Sequence, residues 1–182
     1  NKYHIPLDRT VFVYGGNLGK PQGIDFMLKC LHSQKSNDKV FFLIVGNGTE
    51  YGRIERYIEK YHPENIALRQ WIPKEEYDKV IAACDVGMIF LDHRFTIPNF
   101  PSRLLGYMSA KLPVLAVTDR VTDIGKVIVD GGFGWWCESN TPYLFDRLVN
   151  NIAISPGNKD KGLKGHSLLN SEFSVSQIYS EI

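Results

Sequence analysis

Two loops of the chain gather residue types that hold anions. The first runs from Gly15 to Gly23 and carries Gly15, Gly16, Gly19 and Gly23 around a single cation, Lys20. Glycine lets a backbone turn sharply and brings its N–H groups close to an anion, and Lys20 supplies charge. The spacing is not G-x-G-x-x-G, and Lys20 is followed by Pro21, so the Walker-type phosphate loop is excluded. A tight strand-to-helix turn without a ligand is the plain alternative. The second loop runs from Asp92 to Arg103 and ends in Asn99-Phe-Pro-Ser-Arg103. Ser102 and Arg103 open a helix there, and free N–H groups, hydroxyl and guanidinium together suit a phosphate. The alternative makes Ser102 an N-cap and Arg103 a solvated first-turn residue. A cation in the first turn opposes the helix dipole, which favours the functional reading. Asp92-His93-Arg94 also admits a catalytic reading against that of a solvated loop cluster, and His93 is the histidine to test.

The elements that must position these loops form a repeating unit. Thr10–Tyr14 is a β-branched and apolar run stopped by Gly15-Gly16, and apolar residues then recur with helical period at Ile24, Met27, Leu28 and Leu31. Val40–Val45 repeats the strand, closed by Gly46-Asn47-Gly48 and followed by an amphipathic stretch through Ile54, Tyr57, Ile58 and Tyr61. Asn65–Trp71 reads as a third strand before a helix from Pro73 to Ala83. Asp85–Leu91 is a fourth, before a helix from Pro101 or Ser102 to Ala110. Pro113–Val117 and Gly134–Cys137 complete the strands, followed by helices over Val121–Asp130 and Pro142–Ala153 respectively. Ser155–Gly165, rich in glycine and lysine, reads as a loop, and Ser171–Ile182 resumes a helical pattern.

Continuous apolar strands alternating with helices predict an α/β fold: a doubly wound, mostly parallel sheet of about six strands with helices on both faces, Rossmann-like. Such a sheet binds ligands beyond the carboxyl ends of its strands, where the strand order reverses. With the order 3-2-1-4-5-6 that crevice lies between strands one and four, walled by the two loops above.

Composition narrows the classes. With 43% hydrophobic, 23% charged and 12% aromatic residues, disorder and coiled coil are disfavoured. The 182 residues suit a single domain over 1–182. A net charge of +1 leaves no electrostatic footprint for nucleic acid. Cys30, Cys84 and Cys137 lie far apart without a CxxC, as buried thiols of a reducing, cytoplasmic setting would. No apolar run is long enough to span a bilayer, and no signal peptide opens the chain. It begins with Asn1 instead of Met, as a piece excised from a longer protein would. No His, Cys or carboxylate cluster with metal-ligand spacing stands out in the sequence. Trp135-Trp136 reads as a strand with one inward ring, against an exposed aromatic patch.

At this point a resemblance emerges. Pro101-Ser-Arg-Leu-Leu-Gly-Tyr-Met-Ser-Ala-Lys-Leu-Pro-Val-Leu-Ala116 resembles the P-S-K/R-x-x-E-Y-M-A-x-G-x-P-V-x-A stretch of retaining glycosyltransferases of the family-4 type, which have two Rossmann-like domains (the GT-B fold). Phe12–Gly23 is similar to the family's first strand and glycine loop, and Leu43–Glu50 to its L-x-I-V-G-x-G-x-E turn. Ile72–Tyr77 with Ala83–Val86 resembles V-P-x-E-E-L followed by A-x-A-D-V. Gly131–Cys137 and Glu172–Val175 match its later elements. The likeness covers nearly the whole chain and concerns only the C-terminal, donor-holding domain of the family, with the N-terminal acceptor domain absent.

The resemblance implies a hexosyltransferase-type activity of the full-length protein, in polysaccharide biosynthesis. The donor would be a nucleotide diphosphate sugar, UDP- or GDP-linked, and the acceptor a glycan or lipid-linked molecule. The isolated piece would be inactive, and membrane association would be peripheral, through the missing domain. By the same resemblance Gly15, Gly16, Asn17, Lys20, Ser102 and Arg103 hold the diphosphate, without a metal or other cofactor, in keeping with the missing ligand cluster. Trp71 and Ile72 flank the base, and Asp92, His93, Thr96, Asn99 and Phe100 lie near the base or sugar. The chain departs from the pattern where it matters: the basic residues of the family's first loop fall at Asn17 and Gln22, and the glutamates of its E-x7-E motif at Pro98 and Gly106. Glycine cannot hold ribose hydroxyls. Two other readings therefore stand beside it, a nucleotide-sugar epimerase of similar fold and a non-catalytic nucleotide-binding module.

Overall fold

The structure, a computed structural model, describes residues 3–94, 101–155 and 158–172. Its strands are the apolar runs of the sequence: β1 Thr10–Gly15, β2 Val40–Val45, β3 Ile66–Arg69, β4 Val86–Phe90, β5 Val114–Thr118 and β6 Gly134–Glu138. The helices are α1 Ile24–Gln34, α2 Tyr51–Tyr61, α3 Lys74–Ala82, α4 Arg103–Ser109, α5 Ile124–Asp130, α6 Pro142–Ile154 and α7 Asn158–Glu172. The six strands form one parallel sheet in the order β3-β2-β1-β4-β5-β6. The chain winds outward from β1 to β3, returns to β4 beside β1, and winds outward again. The expected reversal between strands one and four is present.

Every residue of β2 and β4 is buried, which requires cover on both faces. Alternate strand residues face opposite layers. Phe12, Tyr14, Phe42, Ile44, Met88 and Phe90 pack with Met27 and Leu31 of α1, Ile54 of α2 and Phe145 and Val149 of α6. Val11, Val13, Leu43, Val45, Ile89 and Ala116 pack on the other face with Val80 and Ile81 of α3, Leu104 and Tyr107 of α4 and Ile128 of α5. The three cysteines are free and buried, and burial pushes the Cys84 and Cys137 thiols up to about 12.

Two expectations change. The stretch Ser155–Gly165, read as a loop, contains the first half of α7. Its glycines serve close packing: a Cβ at Gly162 would fall 1.9 Å from the Lys111 carbonyl oxygen, and one at Gly165 3.1 Å from Phe133. The His166 ring lies 3.2 Å from the Met108 carbonyl, and Leu168 and Leu169 join the α3–α4–α5 layer. The tail pattern beyond Glu172 lies outside the described residues. The third strand is also shorter than read. The Asn65 amide turns away to donate to the carbonyls of Gln34 and Asn37, at 2.8 and 3.0 Å, and Trp71 leaves the sheet. Trp135 and Trp136 are both half-buried on β6, and the Trp136 indole N–H donates to Thr118 Oγ1 at 2.9 Å.

Candidate functional site

At the carboxyl end of β1 the chain turns through Gly16, whose φ of 137° disfavours any side chain. A Cβ there would also lie 3.1 Å from the Arg103 guanidinium. The Gly15 N–H donates to the Tyr107 hydroxyl at 3.0 Å, and the Gly16 N–H to the Val45 carbonyl at 2.9 Å. The loop after β2 braces the one after β1: the Leu18 N–H donates to the Asn47 carbonyl at 2.8 Å, and the Glu50 N–H to the Leu18 carbonyl at 2.9 Å. Asn17 and Lys20 are exposed on this loop. Lys20 begins a single 3-10 turn, Lys20–Gln22, and the Gln22 side chain accepts the Gly19 N–H at 3.1 Å.

The two loops singled out in the sequence touch. Gly23, at φ 62°, lies against Asp92, where a Cβ would stand 3.1 Å from the Asp92 Cα, and the Asp92 N–H donates to the Pro21 carbonyl at 2.9 Å. The Asp92 carboxylate is gripped by Arg94, Nε to Oδ1 at 2.9 Å and Nη2 to Oδ2 at 2.7 Å, with the Arg94 N–H adding 2.9 Å to Oδ1. These bonds hold its pKa at about 2, so at neutral pH it is a fixed charge and a poor proton acceptor. His93 Nδ1 stands 3.6 Å from the same carboxylate. The sequence candidates Asn99 and Phe100, with Thr96 and Pro98, lie outside the described residues.

Ser102 occupies the N-cap position of α4 in helical conformation, exposed and without a side-chain capping bond. The plain N-cap reading of Ser102 therefore has no hydrogen bond behind it. Arg103 is not a solvated first-turn residue either. Its guanidinium stacks over the Tyr14 ring, 4.6 Å from the centroid, and its Nη1 is buried with no hydrogen-bond partner among the described residues. No carboxylate pairs with it among those residues. Trp71 is 74% exposed, free to present its face, whereas Ile72 is 5% exposed and its side chain belongs to the core. Of the two candidates flanking the end of β3, only Trp71 presents its side chain to solvent, and Ile72 points into the sheet layer.

The sequence reading missed the tyrosines. The Tyr77 hydroxyl presses on Gly15, where a Cβ would lie 1.9 Å away. Tyr107 is fully enclosed, with its hydroxyl 3.3 and 3.2 Å from the carbonyls of Val13 and Met88. The Tyr14 hydroxyl donates to the Asn17 carbonyl at 2.6 Å. Burial raises the Tyr14 and Tyr77 phenols, opposed by the Arg103 charge, so both stay neutral around the cation. Tyr14 carried the only usable signal, an aromatic hydroxyl at a strand end beside two glycines. Between α3 and α4 a groove of about 360 Å³ runs past Tyr77, Asp78, Arg103 and Gly106. A hollow of similar size lies at the amino ends of the first strands, between Arg9, Asn37 and Tyr61, away from these loops. Among the described residues no group of three or more His, Cys, Asp or Glu can hold a metal, and no helix is long and apolar enough to cross a membrane.

Sheet order, glycine turn and inward arginine together define a Rossmann-like α/β domain with its cleft at the strand-order reversal. Residues 1–163 match the family described as Glycosyl transferases group 1, and the chain belongs to that family. It is 29% identical over 145 residues to the probable glycosyltransferase WbjE of Pseudomonas aeruginosa, covering 80% of this chain and 36% of that protein. The chain spans about a third of the length of the curated relatives it matches. Among solved structures it shares its fold with the C-terminal domain of a glycosyl transferase group 1 family protein (LpcC) from Francisella tularensis, at TM-score 0.71 and 16% identity over 91% of this chain and 87% of that one. It is also similar to Anabaena Alr3699/HepE, solved in complex with UDP-glucose, at TM-score 0.76 and 15% identity over 96% and 47% of the two chains.

Proposed function

We propose that the chain is the donor-binding half of a glycosyltransferase that moves a sugar from a UDP- or GDP-linked donor to a glycan or lipid-linked acceptor. The observation that carries this is Arg103: among the described residues its guanidinium has no carboxylate partner and its buried Nη1 no acceptor, and it is set beside Gly16 at the reversal of the sheet. A cation so placed asks for an anion, and an unmet buried donor costs about 1–3 kcal/mol until an acceptor arrives. The family and the UDP-glucose held by HepE make a nucleotide diphosphate the fitting anion.

In this reading the Gly15–Gly16–Asn17 backbone and Lys20 approach the diphosphate from one side, and Ser102 and Arg103 from the other. Fixed donors aimed at the leaving diphosphate stabilise the charge it gains as the glycosidic bond breaks. Trp71 offers an aromatic face to the base, and Asp92 and His93 border the sugar. No metal or other cofactor is invoked. The chain spans about a third of its curated relatives, and in this reading the acceptor is bound by another part of the whole protein, so that the 182 residues bind donor without turning it over. The whole protein would work in the cytoplasm, with any membrane contact made through that other domain.

Calorimetric titration of the chain with UDP, GDP and ADP tests this. Saturable binding that is lost in Arg103→Ala supports the donor site. Absence of binding up to millimolar nucleotide, or robust sugar transfer by these residues alone, overturns it.

A further inference from the structure

One side chain touches both walls of the proposed diphosphate site, at Asn17 and at Arg103. Tyr14 is completely enclosed at the end of β1, its ring edge-on to Phe90 with centroids 6.5 Å apart. Its hydroxyl donates to the Asn17 carbonyl at 2.6 Å, inside the glycine loop. Its ring lies under the Arg103 guanidinium at 4.6 Å, so it reaches from one wall of the cleft to the other. Filling the core does not explain the hydroxyl, since phenylalanine has nearly the same volume. What the hydroxyl adds is orientation of the Asn17 peptide relative to the strand. What the ring adds is a platform that holds a planar cation flat, with its N–H edges directed sideways.

We propose that Tyr14 is a positioning residue for the donor diphosphate, fixing the distance between the glycine-loop peptides and Arg103 before the ligand arrives. The idea rests on the donor-site reading above. Both walls are set by one rigid residue with two rotatable bonds, so little ordering remains to be done on binding. Tyr77 and Tyr107 hold Gly15 from the opposite side and keep the strand end from yielding.

The test is titration of wild-type and Tyr14→Phe with UDP and GDP, taking the tighter ligand forward and its nucleoside, uridine or guanosine, as control. Loss of one oriented hydrogen bond is expected to weaken the diphosphate about fivefold while leaving the nucleoside and the melting temperature nearly unchanged. Tyr14→Leu removes the platform as well as the hydroxyl, and is expected to weaken the diphosphate further than Tyr14→Phe does while leaving the nucleoside nearly unchanged. Tyr14→Phe that binds the diphosphate like wild type or that weakens nucleoside and nucleotide equally, or a Leu variant that binds the diphosphate no worse than the Phe variant, overturns the inference and leaves the donor site standing. Wild type that binds neither nucleotide overturns both.

Discussion

Gly106→Ala is expected to stabilise the chain, and Gly162→Ala to destabilise it, although both replace a glycine within a helix. Gly106 stands at the centre of α4, Arg103–Ser109, and a Cβ built there meets no atom of the described residues within 4 Å. Its φ is not positive, so alanine fits the backbone without strain. Alanine then gains the helix propensity that glycine forfeits, roughly 0.8–1.0 kcal/mol. At Gly162 the same propensity is available, yet the new methyl would lie 1.9 Å from the Lys111 carbonyl oxygen and 2.7 Å from its carbon. Both atoms are backbone and cannot swing aside, so α7 must lift away from α4. Overpacking of this kind costs about 1–3 kcal/mol and outweighs the propensity gain. For a chain of this length each kcal/mol moves the melting temperature by about 2–4 °C. Thermal unfolding followed by circular dichroism, backed by urea midpoints with unchanged slope, reads both signs. A fall in melting temperature for Gly106→Ala, or a rise for Gly162→Ala, would refute the reasoning, because either result would mean that the space around that glycine has been misjudged.

Gly106→Glu places a carboxylate into the same open space, at the position where the family pattern carries its second glutamate, and is expected to fold like the alanine variant and bind the preferred nucleotide several-fold more tightly by calorimetry. Gly16→Ala forces a side chain to φ 137° against Arg103 and is expected to lose about 1–3 kcal/mol in urea unfolding together with most nucleotide affinity. An NMR titration of the Asp92 carboxyl is expected to read about 2 and to return toward the ordinary carboxylate range in Arg94→Ala. Because its folded pKa is depressed, its stabilisation is complete above pH ~4 and is lost as pH falls through about 2. Added salt shrinks the effect, since the Arg94 side chain is 75% exposed. A disulfide reagent at neutral pH is expected to label none of the three cysteines until denaturant opens the core, since all are buried and their thiolates are disfavoured.

The parts legible in the sequence were those set by periodicity. Val40–Val45 is six apolar residues in a row, a pattern only a strand covered on both faces satisfies, and the alternation of such runs with helices fixes the parallel sheet and hence where its cleft opens. The burial of Ile72 was not legible because adjacent residues at a strand end point opposite ways, and nothing local says which of Trp71 and Ile72 turns outward. The first half of α7 was hidden for a different reason. Gly162 and Gly165 weaken a helix taken alone, and only the proximity of Lys111 and Phe133, more than thirty residues earlier for both, shows that they let it dock. The same asymmetry governs the site. Gly16 and Arg103 could be proposed from residue type because a positive-φ turn and a guanidinium have few substitutes. Tyr14 could not, since it looks like one more aromatic in a buried strand until its hydroxyl is found on Asn17 and its ring under Arg103. In the proposed site, residues that would meet the ligand declare themselves by chemistry, whereas one that would aim them is defined by what it touches, and those contacts join positions 14, 17 and 103 only once the sheet has formed.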